Sequence, residues 1–540
     1  MGARFLLARS IETRSEAAEF LYSRTDGTHD PFLFRRMERA VDLIRNAVRM
    51  RKTILVHGDY DVDGISGTAL LYLYLDGMVP EVFRFLPDRK KDGYGLSQRA
   101  VEWALTNGVG LVIAVDCGVS DGPLVEQLED AGIGVVICDH HEFPDEQDVP
   151  GVVLDPLRDD YPFSGLSGAG VAYKLVQALW ERDIRSEVRP EELLDLVALA
   201  TVGDLVPLVD ENRHLVRQGL ELLNKRLRPG VAALAASAGL EEREIDATAI
   251  SFRLAPRLNA SGRISNPRPA LELLCTHDTR EAKRLALHLE GENTRRRDMT
   301  EYVHQSVMEK VEALGDPAAM GGFVFADGSW EEGILGIAAS RIVETYGRPA
   351  ILISTAGDLA KGSGRSVPGI HLKEQLDLCK DLLVRYGGHA QAVGVTIEPH
   401  LVDPFIERIS RQLDEAAGAL SGKPVLDIDS GIGLEEVSME LLDFLALCQP
   451  FGSGNPEPVF KISGLSVTNA THVGNGNHLK IYFRDGERLD GEAIFFNSGP
   501  VGPGELARGP VDLAVTLNRG FYLSKYYPEL RVLDVRSHRE

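Results

Sequence analysis

Short apolar runs rich in β-branched residues recur through the first third of the chain. TILVH begins at Thr53, and VGLVIAV, GIGVVIC and GVVL end immediately before Asp116, Asp139 and Asp155. Helix-like stretches such as ISGTALLYLYL separate these runs, and this alternation predicts a parallel α/β sheet. Open parallel sheets bind ligands at the carboxyl ends of their strands. We therefore expect the polar residues that follow the runs to meet at one edge of the sheet.

The rest of the chain contains three further regions that differ in their pattern of hydrophobic and polar residues. The first is mainly helical. The second is a smaller α/β region, in which GGFVFAD and RPAILIS are predicted strands on either side of the predicted helix EEGILGIAASRIVETYG. After the linker-like ALSGKPV, short strands with turn signals at close intervals predict a small β-barrel. The predicted regions are a helical extension (1–49), the first α/β domain (50–225), a helical linker (226–315), the second α/β domain (316–420) and the barrel (425–540).

Composition narrows the class of protein but leaves its partner open. The chain has 540 residues, of which 44% are hydrophobic and 26% charged, as expected for several globular domains. Five cysteines without a CxxC pair, no long apolar run and no signal-peptide pattern predict a cytoplasmic protein that does not span a membrane. The net charge of -23 weighs against nucleic acid, but an average over the whole chain says nothing about a local groove.

The stretch HGDYDVDG places four ionisable side chains at alternating positions directly after a predicted strand. His57, Asp59, Asp61 and Asp63 would repel one another or shift their pKa values unless a cation neutralised them. Carboxylate and imidazole ligands suit manganese, magnesium or zinc. A DxD in a glycine loop is by itself typical of a turn, so this stretch alone leaves the choice open.

Further candidate ligands follow the later strands and the helical VALATVG segment. They are Asp116, the run Asp139, His140 and His141, and Asp204. An isolated HH pair is typical of a surface or a hydrogen-bonded core position. The joint occurrence of all these groups at successive strand ends favours a centre for two divalent ions, which activate water and bind phosphoryl oxygens.

HGDYDVDGISG, VDCG, CDHH and VGDLVPL resemble, in order and spacing, the four motifs of the DHH phosphoesterase superfamily. SGLSGAGVAYKL, APRLNASGRI, SWEEGILGIAASRI, KGSGRS, RYGGHAQAVG and QPFGSGNPEPVF narrow the resemblance to its single-stranded-DNA-specific exonuclease family, RecJ. The resemblance extends from about residue 50 to beyond residue 460. It implies a DHH catalytic domain, a DHHA1 substrate-binding domain and an OB-fold nucleic-acid-binding domain for the three folded regions.

The resemblance also implies roles for individual residues, with two Mn²⁺ or Mg²⁺ ions as cofactors. His57 and Asp61 would bind one ion, Asp63, His140 and Asp204 the other, and Asp116 would bridge them. Asp59 would support the loop and Asp139 would orient a histidine, a common arrangement beside metal ligands. His141 would face the scissile phosphate and help to protonate the leaving oxygen.

Substrate contacts are implied in the second half of the chain. Ser363 and Arg365 resemble a pocket for the 5′-terminal phosphate, and an arginine can bind phosphate through two hydrogen bonds. The backbone of Gly387, Gly388 and His389 would approach phosphate closely, although GGHA can equally form a tight turn. The resemblance further suggests DNA-backbone contacts by Arg257, Asn259 and Arg263 and, in the barrel, contacts by His478, Lys480, Tyr482, Phe483, Arg519, Phe521, Tyr522 and Lys525.

The implied function is a 5′→3′ exonuclease that releases mononucleotides from single-stranded DNA during DNA repair and recombination. It would act as a monomer and be supplied with substrate by a helicase and a single-strand-binding protein. One alternative is a DHH phosphoesterase for short oligonucleotides or small nucleotides, which needs no barrel after residue 425. Another is a non-catalytic DNA-binding scaffold, against which the intact ligand positions argue.

Overall fold

The computed structural model describes residues 2–22, 27–89, 91–142, 149–418, 425–474, 476–485, 489–499, 501–506, 509–522 and 525–538. Contacts divide the chain into two units. The larger comprises 31–204 and 219–423, and the smaller comprises 1–30, 205–218 and 424–540. The predicted N-terminal extension is thus shared, because its first 30 residues belong to the smaller unit and its last helix belongs to the larger.

The first sheet of the larger unit is the predicted parallel α/β sheet. Its strands are β1 (Thr53–Gly58), β2 (Val82–Phe85), β3 (Val109–Val115), β4 (Gly134–Cys138) and β5 (Val152–Leu154). They are all parallel, in the order β2-β1-β3-β4-β5. Buried β-branched side chains pack on both faces of β3 and β4, which explains the continuous apolar runs in the sequence.

Helices cover this sheet and continue into the helical linker. Around the sheet they are Met37–Arg49, Val62–Leu75, Gln98–Thr106, Gly122–Asp130, Gly168–Glu181 and Leu194–Gly203. The following helices are Asp210–Lys225, Pro229–Ser237, Ala247–Ala249, the π-helical Ile250–Leu254, Ala255–Ile264, Arg268–Cys275 and the 36-residue Thr279–Leu314. None of the helices in the described ranges is both long enough and apolar enough to span a bilayer.

The second sheet of the larger unit is mixed. Its strands are β6 (Phe323–Asp327), β7 (Ala350–Ser354), β8 (Ala360–Arg365), β9 (Arg385–Gly388) and β10 (Ala392–Ile397), in the order β6-β7-β8-β10-β9. Only β6 and β7 are parallel. Helices Leu335–Tyr346, Leu372–Asp377 and Val402–Gly418 accompany them. KGSGR is therefore a strand and RYGG the edge of a hairpin.

The smaller unit contains the predicted barrel. Its strands are β11 (Ser430–Gly431), β12 (Phe460–Val473), β13 (His478–Asp485), β14 (Leu489–Phe495), β15 (Val511–Tyr522) and β16 (Lys525–Ser537). Pairing of β12 with β15 closes the order β12-β13-β14-β16-β15 into a barrel. Phe460, Leu513 and Val515 lie in its core. This unit also contains the helices Gly2–Ala8, Arg14–Tyr22, Met439–Cys448 and Pro503–Leu506, together with the first part of Asp210–Lys225.

Candidate metal centre and substrate cleft

The DVDG loop is the connection between β1 and the buried helix Val62–Leu75. Asp61 caps this helix, because its Oδ1 accepts the backbone N–H groups of Asp63 (3.0 Å) and Gly64 (3.3 Å). A Cβ at Gly64 would lie 2.4 Å from the backbone nitrogen of Asp59. The glycine therefore permits a tight turn that brings Asp59, Asp61 and Asp63 to the carboxyl edge of the sheet.

Carboxylates and histidines from four segments meet at this edge. The described residues form three groups whose ligand atoms all lie within 4.8 Å of one another: Asp59, Asp61 and Asp116; Asp63, His140 and Asp204; and Asp116, His140 and His141. The Nε2 atom of His140 lies 3.2 Å from Asp116 Oδ1 and 3.7 Å from both Asp63 Oδ2 and Asp204 Oδ2. Asp116 and His140 each belong to two of these groups.

Asp116 is held in an uncommon backbone conformation. Its φ of 59° lies in the left-handed region, which is unfavourable for most residues other than glycine. Its N–H donates to the carbonyl oxygen of Cys138 on β4 (2.9 Å). A Cβ at Gly168 would come within 2.7 Å of Asp116 Cβ, so the helix that begins at Gly168 needs this glycine. The same helix start donates N–H groups from Gly168 (2.7 Å) and Ala169 (2.8 Å) to Asp63.

The electrostatics of this edge favour a bound cation. Burial, followed by repulsion between neighbouring carboxylates, raises the pKa of Asp59 and of Asp116 well above the usual range and that of Asp204 to about 9. Burial also raises the pKa of Asp63. The Oδ1 atom of Asp59 is buried and has no hydrogen-bond partner among the described residues. Oxygen and imidazole donors in this arrangement fit a divalent ion such as Mn²⁺ or Mg²⁺.

His57, which the sequence suggested as a ligand, lies outside the three donor groups of the described residues. Its ring is fully buried and stacks on Phe85 at 5.3 Å between ring centres. Ser97 donates its backbone N–H to Nε2 (3.3 Å), and Cys117 Sγ lies 3.6 Å from Nδ1. Burial lowers the pKa of His57 to about 4, so the ring is neutral near pH 7. The structure groups Asp59 with Asp61 and Asp116 instead.

Asp139 contacts both histidines that follow it. Its Oδ1 accepts Nδ1–H of His141 (2.8 Å) and the backbone N–H of His140 (2.8 Å), and its Oδ2 accepts the N–H of Val119 (3.2 Å). Burial alone would raise the pKa of Asp139, but the hydrogen bond from His141 holds it below its usual value. Burial alone would lower the pKa of His141, but Asp139 raises it to about 9. His141 is therefore oriented and held cationic.

Several arginines form a cluster close enough to this edge to interact with its carboxylates, since Arg89 opposes the burial that raises the pKa of Asp59, and Asp61 opposes the burial that lowers the pKa of Arg263. Burial, and then the neighbouring Arg89, lower the pKa of Arg365 and bring that of Arg263 to about 10. Arg365 Nη1 donates to Ser363 Oγ (3.2 Å) and to the carbonyl oxygen of Gly364 (2.8 Å). Arg89 also lies over the ring of Tyr60 (5.3 Å). Burial and adjacent arginines also lower the pKa of Arg296.

The sequence analysis missed Arg89. The residue lies in the basic stretch PDRKKDG, which follows β2 at the same carboxyl edge as the metal-ligand candidates. The rule that ligands bind beyond the strand ends was applied to acidic residues only. Applied to basic residues, it would have marked Arg89 as a candidate for binding phosphate.

The other two DNA contacts suggested around PRLNASGR have structural partners. Arg257 pairs with Glu290 and donates Nη1–H to the carbonyl oxygen of Arg253 (2.6 Å). Asn259 Oδ1 accepts the N–H of Val62 (2.6 Å) at the start of the helix behind the DVDG loop. These contacts give both residues structural partners beside the site, and Arg257 also interacts with Arg296 of the arginine cluster.

GGHA forms the tight turn between β9 and β10. The N–H of His389 donates to the carbonyl oxygen of Ala392 (2.9 Å), so this amide is already used inside the hairpin. Gly388 has a φ of 124°, and a Cβ there would lie 2.2 Å from the same oxygen. A Cβ at Gly387 would meet nothing within 4 Å, so open space remains for close approach of a ligand.

In the barrel, most of the suggested DNA contacts already have protein partners. Phe483 is 1% exposed and belongs to the core, so it is not an exposed stacking platform. Lys480 pairs with Glu492 (2.9 Å) and also lies over Tyr482 (5.2 Å). His478 Nδ1 accepts the N–H of Asn497, and Arg519 pairs with Asp443. The side chains of Phe521, Tyr522 and Lys525 lie outside the described part, and the sequence analysis missed the exposed Phe496 and Tyr526.

Three domain families match the chain. The N-terminal domain of the DHH family matches residues 53–201, the DHHA1 domain matches residues 319–415, and the RecJ OB domain matches residues 428–534.

Curated relatives align with most of this chain. The single-stranded-DNA-specific exonuclease RecJ of Bacillus subtilis is 33% identical over 539 residues, which are 98% of this chain and 67% of the relative. That of Salmonella typhimurium is 36% identical over 487 residues, 85% and 83% of the two chains. The crystal structure of Thermus thermophilus RecJ in complex with Mn²⁺ is similar with a TM-score of 0.84 and 29% identity, covering all of this chain and 76% of that one.

Proposed function

This chain belongs to the RecJ family of single-stranded-DNA-specific exonucleases, and we propose that it removes mononucleotides from the 5′ end of single-stranded DNA. The convergence of the carboxylates, the two DHH histidines and the arginine cluster on one sheet edge carries this proposal. Hydrolysis of a phosphodiester needs cation sites beside a pocket that binds phosphate, and the larger unit supplies both.

The donor groups define which residues would hold two Mn²⁺ or Mg²⁺ ions. Asp59 and Asp61 would hold one, and Asp63, His140 and Asp204 the other, with Asp116 shared. When bound, such ions make a water more acidic and stabilise charge on phosphoryl oxygens. This assignment gives Asp59 the position first suggested for His57, because both ring nitrogens of His57 already contact protein groups.

The protein groups around the donors position and protonate the substrate. His141, held by Asp139, would donate a proton to the oxygen that leaves the phosphorus. Arg89, Ser363 and Arg365 would bind the 5′-terminal phosphate, because guanidinium groups form charge-assisted hydrogen bonds with phosphate oxygens. Binding of the terminal phosphate beside the donor groups would fix the 5′→3′ direction and limit each cut to one nucleotide.

The direction is tested with single-stranded DNA labelled at either end, incubated with Mn²⁺, Mg²⁺ or EDTA. We expect a labelled mononucleotide to appear at once from the 5′ label and late from the 3′ label, with no product in EDTA. Early release of the 3′ label would contradict the proposal. Hydrolysis of dinucleotides alone would favour the small-substrate alternative, and absence of both hydrolysis and Mn²⁺ binding in calorimetry would favour the scaffold.

We also propose that the enzyme works as a cytoplasmic monomer in DNA repair and recombination, supplied with single strands by a helicase and a single-strand-binding protein. All five cysteines are free and buried, which suits a reducing compartment. Light scattering after size exclusion would test the monomer, since a mass of twice 59.1 kDa would contradict it.

A further inference from the structure

The loop Gly93–Ser97, with the sequence GYGLS, contacts the metal centre although none of its residues belongs to the donor groups. Tyr94 is 51% exposed, yet its hydroxyl lies 3.1 Å from the ring nitrogens of His141 and 3.4 Å from the carbonyl oxygen of Asp116. The two rings meet edge to face at 5.6 Å. An exposed tyrosine whose hydroxyl points into a site of buried carboxylates needs an explanation.

The loop is built to hold this hydroxyl in place. Gly93 and Gly95 on either side of Tyr94 have φ values of 83° and 97°, which glycine adopts without strain. Beyond them, Asp121 accepts the N–H of Leu96 (2.7 Å) and His57 accepts the N–H of Ser97 (3.3 Å). The fully buried His57 thereby acquires a role, because it anchors the loop that carries Tyr94.

From these contacts we propose that Tyr94 is a positioning residue for His141, an inference that rests on the proposed function. Nδ1 of His141 is paired with Asp139 at 2.8 Å, and the hydroxyl of Tyr94, 3.1 Å from both ring nitrogens, contacts the ring edge between them. A ring paired at Nδ1 and contacted along this edge is restrained from rotating about its Cβ–Cγ bond, and Nε2 remains available to donate to the leaving oxygen. Tyr94 therefore keeps the ring in the plane in which His141 meets the leaving oxygen.

The substitution Tyr94→Phe removes only the hydroxyl. We expect kcat on 5′-phosphorylated single-stranded DNA to fall about tenfold or more, with KM unchanged within about twofold, because loss of an orienting partner misplaces the proton donor. Tyr302→Phe is the matched control, since Tyr302 is 56% exposed and its hydroxyl contacts Ser329 rather than the site. An unchanged kcat, or a rise in KM alone, would overturn the positioning role.

A second variant displaces the hydroxyl without removing it. In Gly95→Ala the new Cβ would lie 2.7 Å from Asp121 Oδ2 and would strain the positive φ. We expect the same loss of kcat as in Tyr94→Phe, and no further loss when the two are combined. Additive losses would mean that the loop acts on the reaction by a route other than the hydroxyl.

A measurement that needs neither bound metal nor catalytic activity distinguishes this inference from the proposed function. Crystal structures of the metal-free wild type and Tyr94→Phe proteins should show His141 ordered in the first and rotated or in several orientations in the second. The same ordered ring in both proteins would overturn the inference even if the enzyme is an exonuclease. If the wild type proved inactive on DNA but the His141 ring still differed between the two structures, the contact would be supported and only the proposed reaction contradicted.

Discussion

The first sheet and the barrel differ in whether neighbouring positive groups neutralise their buried carboxylates. At the sheet edge, Asp59, Asp116 and Asp204 face one another and their pKa values are raised. In the barrel, Asp512 is equally buried but accepts hydrogen bonds from Arg536 and His538, with Lys461 also 3.0 Å away. Charges that the fold neutralises serve stability, whereas charges that it leaves unneutralised indicate a ligand.

The largest expected effect comes from Asp116→Asn. The amide keeps the shape but removes the shared charged oxygen, so we expect hydrolysis to fall by about 10³-fold or more. In EDTA the same variant should melt at a higher temperature than wild type, because repulsion among the carboxylates is relieved. Activity above a few percent in a folded variant would contradict the bridging role.

The next effect concerns pH in metal-free protein. The pKa of folded Asp204, about 9, exceeds its unfolded value of about 3.9, so the folded state retains its proton longer. The contribution of Asp204 to stability in EDTA should therefore be complete below about pH 4 and be lost as pH rises towards 9. Saturating Mn²⁺ should remove most of this decline in thermal unfolding, and equal slopes with and without Mn²⁺ would contradict the cation requirement.

Arg365→Ala tests the phosphate pocket. We expect KM to rise about tenfold or more on 5′-phosphorylated DNA and to change little on 5′-hydroxyl DNA, because a charge-assisted contact with phosphate is lost. Arg365→Lys is the matched control, which keeps the charge and loses the two-pronged geometry. Equal losses on both substrates would assign Arg365 a structural role.

Asp512→Asn tests the neutralised region. Hydrogen bonds from His538, Lys461 and Arg536 lower the pKa of Asp512 despite burial, so its charge stabilises the fold above pH 4 and that contribution is lost as pH falls. We expect a loss of about 1–3 kcal/mol near pH 7, unchanged exonuclease activity, and a smaller difference from wild type below pH 4. A variant more stable than wild type would contradict the view that the charge of Asp512, unlike those at the sheet edge, stabilises the fold.

Lys480→Ala should have the smallest effect. Its pair with Glu492 is partly exposed, and such pairs contribute at most about 1 kcal/mol. Chemical denaturation would measure that change. A loss of single-stranded DNA affinity greater than about tenfold, measured by anisotropy, would show instead that Lys480 exchanges Glu492 for phosphate.

The sequence by itself determined four of the five strands of the first sheet, their parallel arrangement and the metal chemistry, but it missed β2. Continuous β-branched runs can only be buried on both faces, and acidic residues just beyond them must share one edge. The barrel also followed from short strands at close intervals. These features depend on neighbours in sequence, and a pattern over about ten residues records them.

Only the tertiary structure decided which side chains face the centre. A loop pattern cannot show that Ser97 donates its N–H to His57 or that Asp59 lies beside Asp61 and Asp116. Nor can it show that Asn259 caps a distant helix or that Arg89 meets Arg365. Contacts between residues far apart in sequence depend on packing, and one chain's local pattern carries no record of them.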